Sequence, residues 1–326
     1  MRFLLLYCNT MTTALSIVCM QITVHQMKFA LTVPSFYVIL FPNSMMIRLN
    51  GMRRFEGVLL CTDLDGTLLA SDHTVSKENL DAIDYFMAEG GIFTFITGRM
   101  PYFVADIYQR VRTNAPIGCI NGGGLYDFRT GSYLWTQKLS HDVLELVRYA
   151  DEHIPGIGIQ VNTFDTLYFC TENEAMRDFR RVTGLPNITC HYADVTEPIA
   201  KIVFADKNEE NIRRLEALLN AHPHAHAYDF IRSEATLYEI LPRGIHKGIA
   251  LTQLASILHI PQAKTIAVGD YNNDIGMLQS AGLGIAVANA TPETKAAADM
   301  LTVTNDEHAI ARIIADLEQG NLPIQS

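Results

Sequence analysis

The stretch Val58-Leu59-Leu60-Cys61-Thr62-Asp63-Leu64-Asp65-Gly66-Thr67-Leu68-Leu69 constrains the fold more than any other part of this chain. An apolar run rich in Val and Leu that closes on a turn former reads as a buried strand of a parallel sheet. Open α/β sheets place their ligands at the carboxyl ends of such strands. Side chains two apart on extended backbone share a face, so Asp63 and Asp65 are expected to be aimed alike. Gly66 then lets the chain turn sharply beside them. Two carboxylates held this close repel, which calls for a shared proton, a cationic side chain or a metal ion. Taken alone, an acidic pair in a turn is common and needs no ligand.

Three later segments supply the context. Ser76 is a good N-cap for a helix with Leu80, Ile83 and Met87 on one face, stopped at Gly90-Gly91. Ile92-Phe93-Thr94-Phe95-Ile96-Thr97-Gly98-Arg99 follows as a second buried strand, completing a right-handed parallel βαβ unit. Thr97 and Gly98 therefore emerge at the same sheet edge as Asp63, where a hydroxyl and an exposed N–H suit a phosphate oxygen. Farther on, Lys247 stands in the first turn of an apolar-periodic helix bearing Leu251, Leu254 and Leu258. The helix dipole disfavours a cation there, so Lys247 reads either as an exposed lysine or as a cation placed to bind phosphate together with the positive helix end. Thr265-Ile266-Ala267-Val268-Gly269-Asp270-Tyr271-Asn272-Asn273-Asp274 is a further strand, closing on a glycine and two acids four apart.

These four motifs resemble those of the haloacid dehalogenase superfamily, and the resemblance runs from about residue 55 to the C-terminus. It implies that Asp63 is a nucleophile and Asp65 a general acid/base, with Thr97, Gly98, Lys247 and Asn273 on the phosphate. It implies Mg²⁺ as cofactor, its site formed by Asp63, Asp65 through its backbone carbonyl, and Asp270, with Asp274 and Asn273 in support. Magnesium needs only a few carboxylates because it keeps several waters. Asn121 and Asn289, each at a strand end, are expected to approach the site.

Between the second and third motifs the rhythm changes. Residues 139–241 read as an α+β unit: helix 141–153, strands 157–161 and 165–170, helix 173–182, strand 199–205, helix 207–221, and strands 226–232 and 235–241. Its position and strand-rich pattern resemble the C2B cap of the Cof-type group. The implied fold is α/β, a Rossmann-like parallel-sheet core over 53–138 and 242–326 with an inserted α+β cap over 139–241 that selects substrate. The spaced histidines His222, His224 and His226 lie in a polar turn with Pro223 and read as solvated.

Composition narrows the function classes. The chain has 326 residues, 48% hydrophobic and 18% charged, with a formal net charge of -10. That balance gives no footprint for nucleic acid or an anionic membrane surface. The six cysteines show no CxxC spacing, which points away from a zinc site or disulfide framework and towards a reducing, cytoplasmic compartment. The activity that the resemblance implies is Mg²⁺-dependent hydrolysis of a small phosphorylated metabolite through an aspartyl phosphate. A phosphomutase is the alternative within the superfamily, and a non-catalytic Mg²⁺ or phosphate binder the alternative outside catalysis.

Residues 1–52 stand apart. Their apolar stretches are interrupted before the roughly twenty residues that a membrane span needs. The start imitates a signal peptide without a small-x-small cleavage site. A membrane-associating leader, a signal sequence and an upstream stretch outside the working protein are the three readings, and the last is adopted. Met52-Arg53-Arg54-Phe55 leads straight into the first strand, so N-terminal sequencing of the native protein is expected to begin between Met45 and Met52.

Overall fold

The computed structural model describes residues 53–324 and, before them, the backbone of two antiparallel strands, Arg2–Tyr7 and Ser16–Gln21. The expected start between Met45 and Met52 lies outside the described residues. No helix among the described residues is long and apolar enough to cross a membrane.

The central sheet runs Met300–Leu301, Leu283–Ala286, Thr265–Gly269, Leu59–Thr62 and Ile92–Phe95, every pairing parallel. From Leu59–Thr62 the chain steps one way to Ile92–Phe95, and from Thr265–Gly269 it steps the other way. The crevice beyond these two central strands is thus a topological switch point, where α/β sheets hold their ligands. Register fixes what lies there: Thr62 stands opposite both Val268 and Phe95, so the residues that follow each strand emerge at one edge. Leu59, Leu60 and Cys61 are fully buried, as are Phe93, Phe95, Ile266 and Val268. Helices cover both faces, Lys77–Ala88 packing with Ala309–Glu318 and Lys247–Ile257 with Ile275–Ser280.

Local chemistry explains the element ends. The Ser76 side chain accepts from the Asn79 N–H at 3.2 Å and opens the first helix, whose fully buried apolar residues are Ile83 and Phe86. Leu80 and Met87 flank that stripe, half-buried against the core. After the second core strand come a tight turn, Pro101–Val104, and a short helix, Ala105–Val111. The last helix begins at Ala309, after a separate turn closed by the Thr304–Glu307 capping box. Ile117–Cys119 meets the core edge through a parallel bridge from Ile96 to Gly118. It then pairs antiparallel with the hairpin Gly124–Asp127 and Ser132–Thr136.

A second sheet, wholly antiparallel, runs Tyr228–Glu234, Leu237–Pro242, Ile199–Ala205, Gly158–Thr163 and Leu167–Thr171. Helices Val143–His153 and Glu209–Asn220 cover one face. Leu146, Val147, Ile212 and Leu215 join Ile159, Val161, Ile202 and Phe204 in a core separate from the first. This is the antiparallel α+β layer expected from the changed rhythm, with element limits shifted by a few residues.

Candidate active site

Asp63 leaves the central strand with its N–H still bound to the Val268 carbonyl at 2.8 Å, so the sheet itself fixes where its carboxylate stands. The chain then makes one wide turn, Leu64–Leu68, closed by the Leu69 N–H on the Leu64 carbonyl at 2.8 Å. Gly66 makes the turn possible: its φ is +76°, and a Cβ there would stand 2.4 Å from an Asp270 carboxylate oxygen. Thr67, next along, donates to Asp270 Oδ1 at 3.0 Å.

Lys247 is the first residue of its helix, only 1% exposed, and reaches between two acids. Its Nζ lies 2.6 Å from Asp63 Oδ1 and 2.6 Å from Asp274 Oδ1. The other Asp274 oxygen accepts the N–H groups of Asp270 at 3.0 Å and Tyr271 at 3.1 Å. Asp274 therefore ties the loop after Thr265–Gly269 and supplies countercharge to Lys247, with both oxygens engaged.

Electrostatics at this edge is dominated by burial. It pushes the Asp63 carboxyl up to about 8, and the negative charge of Asp274 adds to the effect against the opposing pull of Lys247. Asp270 is pushed up to about 6, by burial first and then by Asp274. Burial pulls the Lys247 ammonium down, but Asp274 and Asp63 outweigh it and the group ends above its ordinary value. The carboxylates that press on Asp63 are thus Asp274 and Asp270. Asp65, expected as its crowding neighbour, is instead gripped by Arg99, with Nε 3.0 Å from Oδ2 and Nη2 2.5 Å from Oδ1.

The donor set fits a divalent cation. Asp63, Asp270 and Asp274 each offer an oxygen within 4.8 Å of the others. One ammonium faces three carboxyl groups, so ionising all three leaves two negative charges that a divalent cation would neutralise. Among the described residues this is the one acidic or histidine group so arranged. His222, His224 and His226 are not members of this group.

The remaining expected residues line the same edge. Thr97 is 1% exposed and its hydroxyl accepts the Arg99 N–H at 3.2 Å. Asn121 links two motifs: its Oδ1 accepts from Asn273 Nδ2 at 3.1 Å and would stand 2.8 Å from a Cβ on Gly98. Asn289 donates to the Gly66 carbonyl at 2.8 Å. Thr67 and Arg99 lie inside the first and second motifs, and their partners, Asp270 and Asp65, are not apparent from the sequence pattern.

The comparisons with known proteins bear on this arrangement. The profile of the family described as haloacid dehalogenase-like hydrolase matches residues 60–314. A Bacillus subtilis protein, YxeH, is 31% identical over 268 residues, covering 79% of this chain and 97% of its own. The chain belongs to the haloacid dehalogenase-like hydrolases. A second B. subtilis relative of this hydrolase is the 5-amino-6-(5-phospho-D-ribitylamino)uracil phosphatase YitU, 28% identical over 79% of this chain and 96% of its own. A haloacid dehalogenase-like hydrolase from Bacteroides thetaiotaomicron shares the fold with a TM-score of 0.70 at 24% identity. It is matched over 80% of this chain and 99% of its own.

If a cation belongs among these carboxylates, its effect on stability must depend on pH. Asp63 and Asp270 have folded values above the ordinary carboxylate range, so the metal-free fold binds more protons than the unfolded chain. Its stability therefore falls as pH rises from about 4 to about 8. Mg²⁺ added to chelator-treated protein is expected to raise Tm more near pH 8 than near pH 5. An equal shift at both, read by scanning calorimetry, would remove the metal from this cluster.

Proposed function

We propose that this hydrolase is a Mg²⁺-dependent phosphatase that cleaves small phosphomonoesters through an aspartyl phosphate on Asp63. The observation that carries the reading is the buried convergence of Asp63, Asp270, Asp274 and Lys247 at the switch point of the sheet. A phosphomonoester dianion repels a carboxylate nucleophile, and Mg²⁺, when bound by Asp63, Asp270 and the Asp65 carbonyl, supplies the neutralising charge. Lys247, Thr97 and the Gly98 N–H hold phosphoryl oxygens for in-line attack. Asn273, braced by Asn121, completes that cradle. Asp63 Oδ attacks phosphorus and the ester oxygen leaves with a proton from Asp65. Asp65 then takes a proton from the water that hydrolyses the acyl phosphate. Arg99 keeps the Asp65 carboxylate oriented until a substrate displaces that grip.

In this reading residues 139–241 form the cap and the two flanking segments the core. Cap closure keeps bulk water out and reads the leaving group. The naming of YitU as a phosphatase of a phosphorylated metabolite supports the same reaction class. The test is phosphate release from a panel of phosphomonoesters with and without Mg²⁺. Release that depends on Mg²⁺ is expected; release of an isomerised phosphate ester in place of inorganic phosphate would make the enzyme a mutase.

A further inference from the structure

The antiparallel sheet has two unlike faces. Ile159 and Val161 enter the helix-covered core, so Gln160 and Asn162 between them project to the opposite face. Val203 stands opposite Gln160, Lys201 opposite Asn162, and Glu239 opposite Val203, which places all of them on that second face. Ile231, opposite Glu239, and Leu241, two residues on from Glu239, share this face and pack with the hydrophobic cluster of the core. Val203, Ala205 and Phe169 form a small cluster against which Phe103 packs, and the Phe103 ring lies 6.1 Å from that of Phe179. Phe103 belongs to the loop that continues from Thr97-Gly98-Arg99.

A strand face buried against a neighbouring layer is ordinarily apolar, yet here a polar patch is almost wholly enclosed. Gln160 is 1% exposed, Asn162 2%, Lys201 8% and Glu239 6%. Lys201 and Glu239 satisfy each other, Nζ to Oε2 at 2.8 Å. The amides do not. Gln160 Nε2 and Asn162 Oδ1 are buried without any hydrogen-bond partner. A donor and an acceptor left unmade two residues apart on one strand are costly for the fold alone, and a ligand that pairs with both removes the cost.

We propose that this patch is the leaving-group site, and that it selects an uncharged leaving group with a hydrogen-bond acceptor and donor on adjacent atoms. A vicinal diol and a ring lactam share that chemistry. Gln160 donates to the acceptor and Asn162 accepts from the donor. Glu239 excludes competing substrates. By neutralising Lys201 it denies the site a free cation, so a second anionic group on the substrate meets no partner. This rests on the phosphatase reading above.

The full chain with Mg²⁺ tests it on four esters: p-nitrophenyl phosphate, glucitol 6-phosphate as the diol, uridine 5′-phosphate as the lactam, and fructose 1,6-bisphosphate. The wild-type enzyme is expected to prefer the diol or the lactam over the bisphosphate, and the preferred one identifies the source. Gln160→Leu and Asn162→Leu are each expected to lower kcat/KM for that ester relative to p-nitrophenyl phosphate about tenfold, chiefly through KM. Where the leucine variant does not fold, Gln160→Glu keeps the shape, replaces the donor by an acceptor, and is expected to move the ratio the same way. Glu239→Gln frees the Lys201 charge and is expected to raise kcat/KM for the bisphosphate about tenfold, a gain that misfolding does not produce. A wild-type preference for the bisphosphate, an unchanged ratio in the amide variants, or no gain in Glu239→Gln overturns the inference. Absence of phosphate release from every ester by the wild-type enzyme instead sinks the phosphatase reading, and is seen before any substitution is made.

Discussion

Asp63→Asn is expected to lower kcat by about 10⁴-fold or more while leaving the protein folded and at least as heat-stable as the parent. The activity arm follows from the nucleophile role: an amide oxygen at the same position does not form the acyl phosphate. The stability arm follows from burial. The Asp63 carboxyl is pushed up to about 8, so above the ordinary carboxylate value the fold carries the cost of a desolvated acid beside Asp274, held protonated up to about pH 8 and ionised beyond it. The amide removes that cost and still offers an oxygen to Lys247, which stands 2.6 Å away. Sign matters here: a carboxyl raised in the folded state destabilises increasingly as pH climbs above its unfolded value. The metal-free parent should therefore lose Tm between about pH 4 and pH 8, and Asp63→Asn should lose less over the same range. Full activity in the variant ends the nucleophile assignment. A Tm well below the parent's at every pH would show instead that the carboxylate is part of the scaffold.

The core of this site was legible because its chemistry is local in sequence. Asp63, Thr97, Lys247 and Asp270 each sit at the end of a strand or the start of a helix, and those ends are punctuated by Gly66, Gly98, Gly248 and Gly269. Parallel pairing then does the rest, since register alone brings Thr62, Phe95 and Val268 abreast. What the pattern did not carry was which side chains meet across it. Asp65 was paired with Asp63 by its spacing on extended backbone, but the Leu64–Leu68 turn gives it to Arg99. Thr67 reads as a turn residue and proves to be an Asp270 partner 203 positions away. The polar positions on the second sheet were hidden for a related reason. Gln160 and Asn162 alternate with Ile159 and Val161 just as solvent-facing residues do on a half-buried strand. Only the tertiary packing of that sheet buries them.

Lys247→Met tests the charge balance of the site directly. Lys247 is the cation shared by Asp63 and Asp274, and all three are nearly or wholly enclosed. Methionine fills much the same volume without charge, so the change leaves two enclosed carboxyl groups without their shared cation. Removing one partner of a buried ion pair costs about 3–5 kcal/mol, because the other charge is left uncompensated. The loss is expected to be greatest at high pH, where both acids must ionise, and to shrink as protonation relieves their repulsion. Activity should fall as well, by about 10²-fold or more, if Lys247 donates to the phosphoryl oxygens as proposed above. The double variant Lys247→Met with Asp63→Asn discriminates a charge effect from a packing effect. If charge dominates, the second change should recover a large part of the lost stability, a coupling read from the four-protein cycle by urea unfolding. Additive losses would mean that the aliphatic stem, and not the ammonium between Asp63 and Asp274, is what the fold requires at this position.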